Sequence, residues 1–277
     1  MAFLQMSLYS RCLQRTVPVS CVVPVDTVDY LSQPLKPEKP FRTLYLLNGF
    51  FGNMNDWFLA GDVARLAIKY NIAFIMPAGE NKFFIDNPSG EMFGTFIGDE
   101  LVEMTRRLFP LSRERKDTWI GGLSMGGYGA LRNGLKYNET FGAILALSPG
   151  IFISEMLEAL CAGQDADRLF GAQALFMNRA FLESSFGPLE KVNGSDKDYR
   201  TLFETAAKTP SGCPEIYLAC GTEDPLLPAV QACRDYLSGH GARLMYAEKP
   251  GIHDYDFWNT ALQDALDHFP PMQENSD

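Results

Sequence analysis

Six short apolar runs limit what this 277-residue chain can fold into: Thr43–Phe50 (TLYLLNGF), Ile72–Ala78 (IAFIMPA), Thr118–Ser124 (TWIGGLS), Ala143–Pro149 (AILALSP), Glu215–Gly221 (EIYLACG) and Ala242–Glu248 (ARLMYAE). None alternates apolar with polar residues, as a strand with one wet face would, so each reads as a strand covered on both faces. Between them lie stretches with helical spacing, DWFLAGDVARLAIKY, IGDELVEMTRRLF, GGYGALRNGLKY and AVQACRDYLSGH; DFWNTALQDALDHF follows the last run. Strand and helix in regular alternation imply an α/β fold, a mostly parallel central sheet with helices on both faces. RTVPVSCVVP near the start does alternate, and is expected to open the sheet as an antiparallel edge strand.

One segment breaks the rhythm. Ile151 to Pro214, with ISEMLEALCAG, ADRLFGAQALFMNRAFLESSFG and the polar VNGSDKDYR, is longer than a crossover helix requires. It reads as a helical cap over one end of the sheet. Residues 1–270 are therefore expected to form one domain with a cap at about 151–214, and residues 271–277 a disordered tail. The net charge of -10, with no Lys/Arg-rich run, argues against a nucleic-acid partner or an anionic membrane surface. The six cysteines are scattered without a C-x-x-C pair and read as reduced. With no secretion-signal pattern at the start and no apolar stretch of ~20 residues, the expectation is a soluble cytoplasmic protein. No cluster of His, Asp, Glu or Cys has metal-ligand spacing, so neither metal nor cofactor is expected. The apolar cap helices are candidates for homo-oligomer contacts.

The third strand runs into TWIGGLSMGGYGALR, where five glycines crowd one serine at a strand-to-helix join. Gly122-Leu123-Ser124-Met125-Gly126 fits G-x-S-x-G in the strand–turn–helix context that a nucleophile elbow requires. Such a turn strains the serine backbone and brings residues two before and two after it too close for side chains. It also lifts the hydroxyl out at the carboxyl end of the sheet. A glycine-rich turn that only packs a helix is the plain alternative, and the absence of a following lysine argues against a phosphate loop.

A serine nucleophile needs a base and an acid, in the order Ser, Asp or Glu, His. Of the three histidines, His240 sits at a helix stop in LSGHGAR and His268 near the end of the final helix. His253, in KPGIHDYDFW, follows the last strand and precedes the last helix, on the same carboxyl edge as Ser124. CGTEDPLLP offers Asp224, with Glu223 as an alternative, directly after the preceding strand. In LLNGFFGNMNDW, Asn48-Gly49 turns the chain so that the Phe50 amide joins that of Met125 as an oxyanion donor. Phe51 and Trp57 are expected to wall the substrate pocket, unless they belong to the core.

These stretches carry a family resemblance. LYLLNGFFGNMNDW, the elbow GLSMGGYGAL, CGTEDPL, HDYDFW and FGPLEKVNGSDKDY together resemble the esterase D group of α/β-hydrolases, most closely its tributyrin-esterase branch. The likeness runs from about Leu44 to Trp258. It implies an α/β-hydrolase fold, Ser124 as nucleophile, His253 as base, Asp224 as orienting acid, and the Phe50 and Met125 amides as the oxyanion hole. This chain departs from the group in having Asn48 where a histidine is usual and Phe84, an expected pocket residue, where a tyrosine is frequent.

The expected activity is that of a serine carboxylesterase acting on small acyl esters through an acyl-enzyme intermediate. Acyl transfer to another acceptor and hydrolysis of a thioester such as S-formylglutathione are the enzymatic alternatives. A binding module on a silent hydrolase scaffold is the non-enzymatic one.

Overall fold

The structure, a computed structural model, describes residues 1–26, 40–151, 154–163 and 177–269. The apolar runs form strands β3 (Arg42–Leu47), β4 (Ile72–Pro77), β5 (Thr118–Leu123), β6 (Ala143–Leu147), β7 (Glu215–Gly221) and β8 (Leu244–Lys249). Two more precede them, β1 (Ala2–Ser10) and β2 (Arg15–Val23). All eight form one sheet in the order β1-β2-β4-β3-β5-β6-β7-β8. Pairs from β4 through β8 are parallel, whereas β1–β2 and β2–β4 are antiparallel. This is the arrangement of an α/β-hydrolase.

Two expectations change. The alternating run at 15–23 lies one strand in, because β1 pairs with it along its whole length and takes the edge. Strand β8, expected to be covered on both faces, is the opposite edge and only partly covered, with Met245 42% exposed. The inner strands β4, β5 and β6 are buried at every residue.

Helices cover both faces, and each face has its own apolar core. On one, α4 (Met125–Lys136) packs on β3, β5 and β6 and is buried at every residue from Met125 to Leu135. On the other, α2 (Val63–Tyr70) and α9 (Tyr255–His268) bring Leu66, Leu262 and Leu266 against Leu44, Trp119 and Leu145. Further helices include α1 (Asp56–Leu59), α3 (Leu101–Leu108, entered through a π-helical turn, Phe96–Glu100) and α8 (Leu227–Gly239). Among the described residues no helix is long and apolar enough to cross a membrane. All six cysteines are free.

Between β6 and β7 lie α5 (Ser154–Cys161), α6 (Arg179–Phe186) and α7 (Tyr199–Ala206). Residues 152–153 and 164–176 of this stretch, residue 270 and the whole expected tail, 271–277, lie outside the described residues. The segment is tied to α4 by a buried cation. Arg132, with no exposed surface, donates from Nε to the Asp196 carbonyl at 2.9 Å and pairs with the Asp196 carboxylate. Lys136 reaches the same carboxylate at 2.6 Å, and the Tyr128 hydroxyl donates to the Lys197 carbonyl at 2.7 Å. An uncompensated buried guanidinium would be costly, so the polar turn Asn193–Tyr199 is held where its oxygens are needed.

The β1–β2 hairpin is fastened by Glu100. Its carboxylate accepts from the Ser10 hydroxyl at 2.5 Å and from the Arg11 and Cys12 amides at 2.7 and 3.3 Å. Burial by itself would raise this carboxyl, but the three donors outweigh it and hold Glu100 below the usual carboxylate range. A depressed carboxyl contributes stability that is complete above its unfolded value of ~4.3 and is lost as pH falls through the lower folded value. Glu100→Ala is therefore expected to cost about 1–3 kcal/mol in urea unfolding at pH 7, with the gap to wild type narrowing below pH ~4. A gap of the same size at pH 7 and pH 3.5 would show that the charge does not fasten the hairpin.

Candidate active site

Strand β4 lies to one side of β3 and β5 to the other, so the order of the sheet reverses between β3 and β5. Loops leaving the carboxyl ends of two such strands diverge and leave a crevice. Ser124 follows β5, and the loop with Asn48, Gly49 and Phe50 follows β3.

The join between β5 and α4 is as tight as the glycine pattern implies. Ser124 has φ 53 and ψ -119, outside the usual regions for a residue with a side chain. A Cβ on Gly122 would lie 2.5 Å from the Gly126 carbonyl oxygen, and one on Gly126 would lie 2.5 Å from the oxygens of both Leu47 and Asn48. All of these are backbone atoms that cannot step aside. The turn is fixed by the Ser124 amide donating to Leu147 O at 2.9 Å, while Ser124 O accepts from Tyr128 and Gly150. The serine side chain is part-exposed at the top of this turn.

Asp224 and His253 are brought together. Nδ1 of His253 lies 2.7 Å from Oδ2 of Asp224, while Oδ1 of Asp224 accepts the Leu226 amide at 2.9 Å. Asp224 is 3% exposed. Burial alone would raise its carboxyl, but the hydrogen bond and charge of His253 and the Leu226 amide keep it below the usual range. The carboxylate therefore stays ionised and holds Nδ1, leaving Nε2 on the opposite edge of the ring. Trp258 meets the imidazole edge-on, with centroids 4.8 Å apart, and Asp254 caps α9 through the Phe257 amide. Glu223 faces elsewhere: its carboxylate accepts the Gly251 amide at 2.7 Å and steadies the loop carrying His253. Among the described residues the Ser124 hydroxyl makes no hydrogen bond, so the structure links acid to imidazole but not imidazole to hydroxyl.

The other two histidines are occupied elsewhere. His240 stacks on Tyr236 and bonds its carbonyl, and His268 lies 3.2 Å from Glu215. The amides of Phe50 and Met125 make no hydrogen bond among the described residues. Of the three expected pocket aromatics, only Phe51 reaches solvent, at 64% exposed. Trp57 is 1% exposed and donates to Leu47 O at 2.9 Å, which makes it the support behind the β3 loop. Phe84 has no exposed surface; its ring packs against Gly79 and Gly129, and its missing hydroxyl leaves no gap in an open wall. Both belong to the core, since a ring with no accessible surface cannot line an open pocket. Phe50, Phe83 and Phe181, whose centroids lie 5.5 to 6.3 Å apart, link the β3 loop to α6. A groove of about 450 Å³ between β8 and α9 includes Ile252 and Asp254 but neither Ser124 nor Asp224.

Sequence reasoning missed Asn81, whose Oδ1 accepts the Phe51 amide at 2.8 Å, and the bonds of the Asn48 side chain. Motif spacing carries no signal for either. The arrangement offers a strained exposed hydroxyl, an imidazole oriented by a carboxylate and two unpaired amides. Those are the parts that nucleophilic attack on a carbonyl needs. Among the described residues no group of His, Cys, Asp and Glu is placed to hold a metal ion.

The chain is similar to known proteins over nearly its whole length. Residues 13–269 match the family Esterase, described as "Putative esterase". An acetyl esterase of Caldicellulosiruptor saccharolyticus is 38% identical over 268 residues, which are 96% of this chain and 97% of that one. A fluorophosphonate-binding serine hydrolase of Staphylococcus aureus superposes with a TM-score of 0.79 at 25% identity, covering 97% of this chain and 98% of its own. An S-formylglutathione hydrolase from the same organism gives 0.78 at 25% identity, with the same coverage.

The tight turn generates its own test. Gly122→Ala forces a methyl group into backbone and is expected to cost about 1–3 kcal/mol. Gly239→Ala, at the end of α8 where an added Cβ meets nothing within 4 Å, should be neutral or stabilising. Calorimetric midpoints that rank the two variants in the opposite order would contradict the packing at the turn.

Proposed function

This chain belongs to the Esterase family and is a carboxylic ester hydrolase, and from that premise we propose that it cleaves small acyl esters with Ser124 as nucleophile, His253 as base and Asp224 as orienting acid. The observation that carries this reading is the 2.7 Å pairing of His253 Nδ1 with the buried Asp224, at the edge of the sheet where Ser124 is part-exposed. The reaction requires a hydrogen bond between this hydroxyl and His253 Nε2 as the ester binds.

Each step has a residue. The Ser124 hydroxyl forms a bond to the acyl carbon while its proton passes to His253 Nε2. The carbonyl electrons move onto oxygen, which the Phe50 and Met125 amides receive. Collapse of this intermediate breaks the bond to the alcohol, which leaves with the proton from His253. Water then repeats the sequence on the acyl-enzyme and restores the serine. Asp224, ionised and buried, stabilises the imidazolium in both halves.

The acetyl esterase relative supports a short acyl group, and the resemblance to the tributyrin-esterase branch points the same way. The likeness to an S-formylglutathione hydrolase favours a second reading, a thioester as acyl donor. Turnover of p-nitrophenyl acetate against an acetyl or formyl thioester separates the two by kcat/KM.

Ser124→Ala is expected to abolish p-nitrophenyl acetate hydrolysis and labelling by a fluorophosphonate while the thermal midpoint stays near wild type. Retained turnover would remove Ser124 from the mechanism. Asp224→Asn should lower kcat by ~10⁴-fold, whereas Glu223→Gln should retain it to within about tenfold, because Glu223 supports a loop amide and not the imidazole. Equal losses in the two variants would reassign the acid.

A further inference from the structure

Phe50's amide is useful only if its peptide plane faces the crevice, and its own side chain does not control that plane. The plane belongs to the Gly49–Phe50 bond, which is trans, like every peptide bond in the described chain. In a trans peptide the carbonyl oxygen and the amide hydrogen point in opposite directions. Whatever holds Gly49 O therefore aims Phe50 N–H.

Two donors hold Gly49 O. Nδ2 of Asn48 donates to it at 2.7 Å and the Gly52 amide at 3.2 Å. The other end of the Asn48 side chain is also engaged, since its Oδ1 accepts the Gly79 amide at 3.1 Å. Asn48 is 1% exposed, so no water competes for either bond. The two partners also fix which way round the amide sits, because exchanging O and N would set oxygen against oxygen and N–H against N–H. Next along the chain, Phe51 has φ 65 and its amide is held by Asn81 Oδ1 at 2.8 Å. The turn is thus gripped on both sides of the Phe50 amide by the side chains of Asn48 and Asn81.

We propose that Asn48 is a positioning residue for the reaction: its carboxamide clamps the Gly49 carbonyl and so presets the Phe50 amide as an oxyanion donor. The proposal rests on the serine-esterase reading and adds to it the residue that sets the oxyanion geometry. The clamp needs a donor and an acceptor on one short buried side chain. Aspartate supplies only the acceptor and sets an anionic oxygen against Gly49 O, which turns the peptide plane away. Leucine, of similar size, supplies neither.

The experiment uses the full chain, with active sites titrated to end point by a fluorophosphonate, so that rates refer to folded enzyme. Wild type must label at Ser124; if it does not, the serine-esterase reading fails, and the proposal is not what failed. With labelling established, Asn48→Asp and Asn48→Leu are expected to lower kcat for p-nitrophenyl acetate per titrated site by ~10²–10³-fold, the loss typical of one oxyanion donor, with KM changed less than threefold. Affinity for phenylboronic acid, whose tetrahedral adduct places an oxygen in the oxyanion position, should fall in parallel. A purely structural role would lower the number of titrated sites and leave kcat per site and boronate affinity unchanged, and that result overturns the proposal. Should the leucine variant not fold, Asn48→Asp, which keeps the bond to Gly79, decides the question by the same two measurements.

Discussion

Two backbones meet without side chains between them where the order of the sheet reverses, and the arrangement of the site depends on that contact. Gly126, at the start of α4, lies so close to the Leu47 and Asn48 carbonyls that even a methyl group is excluded. Strand β3 and helix α4 are thereby locked at the distance that sets Ser124 beside Gly49. Side-chain packing alone leaves rotamer freedom at such a join; backbone against backbone leaves almost none. The glycines weaken both strand and helix by the usual measure of propensity. The buried sheet, in which β4, β5 and β6 have no exposed residue, tolerates that weakness.

The site is assembled from two blocks. Strands β3 and β5 carry the Asn48–Phe50 loop and Ser124, the proposed nucleophile. Strands β7 and β8 carry the acid–imidazole pair, braced by Thr222 N to Lys249 O, Glu223 N to Gly251 O and the Glu223 carboxylate on Gly251 N. Strand β6 joins the blocks, because Ser124 N donates to Leu147 O and Ser148 N to Ala219 O. The Ser124 turn and the Asp224–His253 pair thus lie on opposite sides of β6, each held by hydrogen bonds of its own.

The inner sheet was legible because a strand covered on both faces writes its burial directly into composition. The edges were not. Strand β1 is half-exposed along its length and carries no such signature, while β8 is apolar in sequence yet lies where only one neighbour covers it. The positions of Ser124, Asp224 and His253 after β5, β7 and β8 were legible because the order of loops at the carboxyl edge follows from chain order once the strands are known. Asn48 and Asn81 were not, because a carboxamide's role depends on which amides the fold brings to its two ends. Trp57 and Phe84 were misplaced for a related reason: an aromatic residue beside a motif serves as wall or as buttress, and only packing distinguishes them. Their burial behind Leu47 and beneath Gly129 shows that both are buttresses.

Backbone strain follows the same division. Non-glycine residues with left-handed φ include Phe51, Glu80, Asn81, Phe83, Phe84, Ser124 and Ser148, all in the three loops that leave β3, β4 and β5 and the one that leaves β6. A residue held this way costs of order 1–3 kcal/mol and persists only where its surroundings over-determine it. Here the surroundings are identifiable. Arg15 grips Glu80 through a bidentate pair at 2.7 and 2.8 Å, Asn133 donates to the Phe84 carbonyl at 2.8 Å, and Asn81 holds the Phe51 amide. The antiparallel hairpin that supplies Arg15 thus anchors the loop whose Asn81 holds the turn after β3. Precision at the crevice is therefore distributed over the sheet: β2 and β4 constrain the loop beside it, β3 and β5 fix the hydroxyl and its amides, and the side chains at the rim remain free to differ.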